Sequence, residues 1–386
     1  MPTKTPTSPF FSKLLLVLAS TALCVLAVEG VFRWIGFDFE AGQQQAYEAY
    51  PPFYRQPRKP LGDVFFHRHG PAAWTGQVLA IGLRNDGGLD DAFADEPEAI
   101  ITYDHDGFRN PDDLADWNLV VIGDSFVELG HLPYEALFTT HLARLLGTRV
   151  KNVGASYSGP LTYVAYLKHF GAAPSARHAL MVFFEGNDLI DIEREAAWQQ
   201  TFETTGERPY RTFEKQSSFL KATYRFGRQL RQGRFQPKRR FQNAYFTSPG
   251  GEQAVSVHYT PPRADQVSAE ALAAMDRALA TWAATARTLG LRPWLVYMPC
   301  KRRVLDGHLR FLDDTPPALA AWQPTDLPAF IEQLAEQQGV DFIDVTPALV
   351  QETRQGRLTY NGLWDTHLNR HGTTVVARTL AEALGE

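Results

Sequence analysis

Residues 119 to 129 read LVVIGDSFVEL. Four apolar residues run into Gly-Asp-Ser, so Ser125 would stand at the carboxyl end of a buried strand, where parallel α/β sheets bind their ligands. A hydroxyl placed there can attack an acyl carbon if a base takes its proton and donors receive the oxyanion. It can equally be a helix N-cap, a position that Ser favours. Three further stretches offer the missing groups. Asn152-Val153-Gly154 follows a second apolar run, and a glycine there lets a backbone N–H approach an oxyanion. Gly186-Asn187-Asp188 follows a third, with Asn187 as an uncharged amide donor. Trp364-Asp365-Thr366-His367 precedes the last helical segment; His367 is the candidate base and Asp365 the group to orient it. Each piece alone has a plain reading as a turn glycine, an Asx-turn residue or a surface histidine. Together they fall at successive strand ends.

The elements that must hold these residues follow an α/β rhythm. Short β-branched or aromatic runs at Leu119 to Ile122, Val150 to Val153, Ala179 to Phe184, Pro293 to Met298 and Phe342 to Val345 predict five strands buried on both faces. Helices are predicted between them: one with Phe138, Leu142 and Leu145 at helical spacing, and a long one capped by Ser268 and stopped by Gly290. Two more cover 327–338, before Gly339, and about 370–384. Alternation of this kind implies a parallel sheet covered by helices on both sides.

The series Gly123-Asp124-Ser125, Gly154, Gly186-Asn187, Asp365 and His367 resembles the SGNH/GDSL hydrolase superfamily, with Ser125, Gly154, Asn187 and His367 as the four signature residues. The resemblance covers roughly residues 100 to 386, including the approach Asp106-Gly107-Phe108-Arg109, which is similar to that of membrane-anchored bacterial members. It implies a flavodoxin-like three-layer α/β/α sandwich. It also implies an oxyanion hole built from the N–H groups of Ser125 and Gly154 and the Asn187 side chain. One departure stands out. The family's usual Asp three residues before the histidine is Trp364 here, and Asp365 lies two before, a spacing that resembles the alginate O-acetyltransferase-like branch. Either Asp365 reaches Nδ1 of His367 through a bent loop, or a Ser–His dyad is oriented by a backbone carbonyl.

Rival sites are weaker. Gly154-Ala155-Ser156-Tyr157-Ser158 fails the last position of the Gly-x-Ser-x-Gly elbow. Cys300 has no His or Asn pattern to activate it, which favours an inert buried thiol. Asp365, His367 and His371 could ligate a metal, but Asn369 and Gly372 already suit the hydrolase reading of that loop. Lys301 and Arg302 could border the pocket and attract an acidic substrate, against a plainer reading as a solvated basic loop. No P-loop or dinucleotide fingerprint occurs, so neither cofactor nor metal is expected.

The 386 residues carry a net charge of −5, which makes no case for nucleic-acid binding, and two cysteines, which exclude a disulfide scaffold. Lys4 and Lys13 precede a nearly unbroken apolar run from Leu14 to Phe32, roughly 28 Å as a helix. Residues 1–35 therefore read as a signal anchor with a cytoplasmic N-terminus and an extracytoplasmic catalytic domain. A cleaved signal peptide with small residues near Ala27 and a buried soluble helix are the alternatives. Residues 36–117 read as a spacer with a loop-rich or β extension. Residues 118–386 read as the hydrolase domain, interrupted at about 190–262 by an insertion with a basic middle that includes Lys221, Arg225 and Arg228. That insertion is a solvated flap, or a surface for anionic lipid or acidic polysaccharide.

The expected activity is ester hydrolysis through an acyl-serine, on O-acetyl groups of an extracytoplasmic carbohydrate. Polysaccharide O-acetyl transfer by the same residues is the alternative, and it would need a polytopic partner to supply acyl groups. A non-catalytic carbohydrate-binding module is the third reading.

Overall fold

The computed structural model describes residues 9–34, 70–76, 78, 98–205, 242–363 and 366–385. The chain divides into two compact units. In the unit formed by Met1–Glu48 and Glu207–Arg239, the described residues form one helix, α1 (Pro9–Trp34). Its 26 residues span about 39 Å. The stretch Lys13–Val31 is exposed, and it is long and apolar enough to cross a membrane. The basic middle of the insertion, with Lys221, Arg225 and Arg228, lies outside the described residues.

The other unit, Ala49–Gly206 with Arg240–Glu386, holds the sheet. In chain order its elements are β1 (Ala72–Gly76), β2 (Ala99–Tyr103), β3 (Leu119–Gly123), α2 (Ser125–Glu128), α3 (Phe138–Leu146), β4 (Val150–Gly154), α4 (Pro160–Phe170) and β5 (His178–Phe184). There follow α5 (Asp188–Thr205), β6 (Ala244–Ser248), β7 (Gly251–Val255), α6 (Ala269–Thr288), β8 (Arg292–Met298), α7 (Lys301–Val304) and β9 (Leu309–Phe311). The last are α8 (Leu327–Gln337), β10 (Asp341–Asp344), α9 (Thr346–Arg354) and α10 (Arg370–Gly385). The five expected strands pair as one parallel sheet in the order β10-β8-β5-β3-β4.

Side chains alternate across each central strand and create two cores. Val120 and Ile122 of β3 face the layer of α4, α6 and α8, where Trp282, Tyr163 and Ile331 are fully buried. Leu119 and Val121 face the layer of α2, α3, α9 and α10, with Phe126, Phe138 and Val376. Each fully buried Val or Ile contributes roughly 1.5–3 kcal/mol of transfer free energy, so continuous apolar strands are what a sheet covered on both faces requires. The result is the three-layer α/β/α sandwich that the sequence predicts.

Two smaller sheets complete the unit. β1 and β2 pair antiparallel. β6 forms the centre of an antiparallel sheet, β7-β6-β9. The expected insertion thus opens with α5 and closes with β6 and β7. On β4, the outer strand of the large sheet, Asn110 acts as a substitute neighbour. Its Oδ1 accepts the Asn152 N–H at 2.7 Å and its Nδ2 donates to the Asn152 carbonyl at 2.9 Å. The segment just before β3 therefore belongs structurally to the sheet.

Candidate active site

The site lies at the carboxyl ends of β3, β4 and β5. After β3, the chain must turn sharply into a helix. A Cβ at Gly123 would meet Val127 Cγ2 at 2.5 Å, so only glycine fits. The helix N-cap is Asp124, whose Oδ1 accepts the Phe126 N–H at 2.8 Å. The reading of Ser125 as a cap is thereby corrected: Ser125 is the first helical residue, and its hydroxyl serves another purpose. Its Oγ lies 2.7 Å from His367 Nε2, across 242 positions of sequence. Asp124 is fully buried, and burial pushes its carboxyl up, against the pull of the Phe126 N–H, His367 and Asn187.

The helix so begun is only one turn long. Leu129, in the left-handed region at φ 41°, ends it. The buried guanidinium of Arg109 then gathers the carbonyls of Leu129 at 3.2 Å and Leu132 at 2.7 Å. Glu128 ties three segments together. It accepts the Tyr103 hydroxyl at 2.7 Å on Oε1, and the N–H and hydroxyl of Ser156, each at 2.6 Å, on Oε2.

Gly154 is placed by α2. A Cβ there would stand 2.2 Å from the Glu128 nitrogen and 2.6 Å from the Val127 carbonyl carbon. Its N–H is donated to Asn152 Oδ1 at 2.9 Å. An oxyanion would therefore compete with Asn152 for this donor, a partner that the sequence reading had not assigned. Asn152 Nδ2 in turn reaches the Val127 carbonyl at 2.8 Å and Thr139 Oγ1 at 3.1 Å. Gly154→Ala is expected to displace α2, and Ser125 with it. Overpacking of this kind costs about 1–3 kcal/mol, and an ångström of misplacement can cost about 100-fold in rate. Urea unfolding and esterase kcat measured together check both.

Asn187 opens α5, its carbonyl accepting the N–H groups of Ile190 and Asp191. Its Nδ2 donates to Asp191 Oδ2 at 2.6 Å. Asp188 turns inward, accepting the Phe184 N–H and the Tyr163 hydroxyl, both at 2.9 Å; burial and the neighbouring Asp124 and Asp191 push its carboxyl well up.

His367 sits on the loop between α9 and α10, and that loop is braced from several sides. The His367 carbonyl accepts the Asn361 N–H at 2.9 Å. Asn369 Nδ2 donates to Leu358 and Tyr360 carbonyls at 2.9 and 3.1 Å, and the Tyr360 hydroxyl donates to the Pro299 carbonyl at 2.7 Å. The buried Lys301 ammonium donates to the carbonyls of Asn361 and Gly362. His131, fully buried, has Nε2 at 3.0 Å from the Leu368 carbonyl and 3.2 Å from Asn361 Nδ2. The His367 ring lies 4.7 Å from Phe126 and 5.7 Å from His131. Trp364 and Asp365 lie outside the described residues.

The rival readings of Lys301, Arg302 and Cys300 are resolved locally. Lys301 and Arg302 are neither a solvated loop nor a pocket border: both are buried, and Arg302 binds Asp306 at 2.6 Å and the Trp322 carbonyl at 2.5 Å. Cys300 is buried, which pushes its thiol well up and away from the thiolate. His371 turns to Glu352 at 2.7 Å; Arg357 and then His371 hold that carboxyl down to about 2. Among the described residues no group of three His, Cys, Asp or Glu side chains could hold a metal ion. The brace residues Glu128, Glu185 and Asp191 were not singled out from sequence, because isolated charged residues carry no spacing signal, and Lys301 was read as a pocket border or a solvated loop rather than as a brace.

Comparison with known proteins adds a family. Residues 259–386, the segment that includes His367, match the model of the SGNH hydrolase-like domain of the acetyltransferase AlgX. No curated protein matches the chain. Among solved structures, a lipolytic G-D-S-L family protein from Veillonella parvula is 11% identical. The match covers 70% of this chain and 98% of that one, with a TM-score of 0.36. An acetyl-xylooligosaccharide esterase from Geobacillus is 13% identical over 70% of this chain and 95% of its own, with a TM-score of 0.36. Residues 259–386 are thus similar to the SGNH hydrolase-like domain of AlgX, and the chain upstream of that segment carries the Gly-Asp-Ser strand end.

Proposed function

We propose that the protein is a serine-dependent acyl-ester hydrolase that works through an acyl-serine, acting on O-acetyl groups of an extracytoplasmic carbohydrate. The observation that carries this reading is the 2.7 Å contact of Ser125 Oγ with His367 Nε2 at the end of the central strands. With its proton on Nδ1, His367 accepts the Ser125 proton as Oγ attacks the ester carbonyl. Asn187, the Ser125 N–H and Gly154 are the donors assigned to the oxyanion. His367 then returns the proton to the leaving alkoxide. Water attacks the acyl-serine, losing its proton to His367; the acyl–Oγ bond then breaks, His367 returns the proton to Ser125 Oγ, and the acid is released.

The match to an acetyltransferase model favours a second reading, in which a sugar hydroxyl replaces water in the second step. A transferase would then draw acyl groups from a polytopic membrane partner. The apolar helix α1 supports attachment to the cytoplasmic membrane, with the N-terminus inside and the catalytic unit outside. The test supplies an acetylated oligosaccharide together with a deacetylated one of different length. Free acetate alone supports hydrolysis, acetate on the second oligosaccharide supports transfer, and neither product from any acetyl ester overturns both.

A further inference from the structure

The Asn187 side-chain amide faces two carboxylates, Asp191 and Asp124, and both are pulled down by it. Its Nδ2 donates to Asp191 Oδ2 at 2.6 Å, while its Oδ1 is buried with no hydrogen-bond partner among the described residues. Rotating the amide would set Oδ1 against a carboxylate. Asp191 has a second engagement: its Oδ1 pairs with Arg194 at 2.9 Å, and Arg194 Nη2 donates to the Tyr157 carbonyl at 3.0 Å. Tyr157 lies in the loop after Gly154 and holds a φ of 71°, a left-handed conformation that a non-glycine residue keeps only when its surroundings enforce it. Glu195, on the same face of α5, accepts the N–H groups of Gly159 at 2.7 Å and Leu161 at 3.0 Å. One face of α5 thus grips both Asn187 and the loop that follows β4.

We propose that Asp191 is a positioning residue for acyl transfer: its carboxylate fixes the rotation of the Asn187 amide, so that Nδ2 and not Oδ1 faces the oxyanion, and through Arg194 it fixes the spacing between Asn187 and the loop after β4. The inference rests on the reading of Asn187 as an oxyanion donor. The groups that face Asp191 are Asp124 at the cap of α2, Asp188 and Glu195 on α5 with Tyr163 of α4 beside Asp188, and the Arg194 cation. Burial first, opposed by Arg194 and aided by Asp124 and Glu195, raises the Asp191 carboxyl to about 7. Above that pH it is ionised and accepts from both Asn187 and Arg194. Below it the carboxyl is neutral and the ion pair is lost.

The test measures kcat and KM for 4-methylumbelliferyl acetate between pH 5 and 9, on the full chain in detergent. The variants are Asp191→Asn, Asn187→Ala, the double variant, and Ser125→Ala as a control. A complete oxyanion donor is worth about 100- to 1,000-fold in kcat. Asp191→Asn is expected to lose at least about 10-fold of that, with KM nearly unchanged. In the Asn187→Ala background the same change should cost almost nothing, because its target is gone. The acid limb of wild-type kcat/KM should fall more steeply than the tenfold per pH unit that one group gives, and Asp191→Asn should return it to one group, His367.

Wild-type kcat in Asp191→Asn overturns the proposal, as does an equal loss in both backgrounds. Wild-type kcat in Asn187→Ala overturns it together with the oxyanion role of Asn187, while inactivity of Ser125→Ala would leave the acyl-serine reading standing. If Asp191→Asn does not fold, Asp191→Glu keeps the charge and displaces the carboxylate by a methylene. The same kcat loss is then expected, and unchanged kcat overturns the proposal.

Discussion

Ser125→Ala is expected to abolish covalent labelling by a fluorophosphonate and to lower ester turnover by about 10⁴-fold or more, while leaving stability unchanged. The pairing of those two outcomes comes from the strand end. Asp124 provides the cap of α2, so the Ser125 hydroxyl can be deleted without freeing a helix N–H. Were Ser125 the cap, its loss would cost about 1 kcal/mol of stability and no chemistry. His367→Ala should remove labelling equally, since among the described residues His367 Nε2 is the base closest to Oγ, at 2.7 Å against 3.4 Å for Asp124 Oδ2. Asp365→Asn discriminates within the mechanism. A loss approaching about 10⁴-fold makes Asp365 the third member of a triad. An unchanged rate leaves a Ser–His dyad. Intact-mass labelling and thermal unfolding of the four proteins give the result, and labelling that persists in Ser125→Ala would overturn the assignment.

Glu185→Ala is expected to be the most destabilising single substitution among the brace residues. Glu185 is buried at the end of β5, one residue before Gly186. Its carboxylate takes the Arg303 guanidinium at 2.7 Å, the Tyr297 hydroxyl at 2.5 Å and the Cys300 N–H at 2.7 Å. Removing it strands a buried cation and two buried donors. Breaking one side of a buried ion pair costs about 3–5 kcal/mol. The damage should also reach the site, because α7 carries Lys301, which braces the His367 loop. A urea midpoint within error of the wild type would show that Arg303 and Tyr297 find water or other acceptors.

The architecture was legible where local and tertiary demands coincide. The β3, β5 and β8 runs are apolar because both faces are covered, and Ser268 does cap α6, accepting the Ala271 N–H at 3.0 Å. At the site, Ser125 and His367 announced themselves by residue type at the ends of regular elements. What supports them did not. Asp191 looks like an ordinary first-turn acid of a helix, a position favoured by the helix dipole alone. Lys301 sits in a basic triplet that reads as solvent-exposed, and only the fold reveals that its ammonium is buried against two carbonyls. Gly154 was recognised as a residue that permits close approach, but the approaching backbone is that of α2.

The bidentate grip of Asn110 on Asn152 occupies one residue's worth of an otherwise open sheet edge. The outer flank of a sheet is a template on which another chain can polymerise, and natural folds blunt it. Here one side-chain amide does so, imitating a single residue of a missing strand. A truncation that begins at Leu119, where the regular rhythm starts, would discard Asn110 together with the Arg109 and Tyr103 contacts to α2 and its C-terminal end. Such a fragment would retain every strand of the large sheet and both members of the Ser–His pair. It would nonetheless present a naked flank to its own copies, and its fate would be oligomers and precipitate.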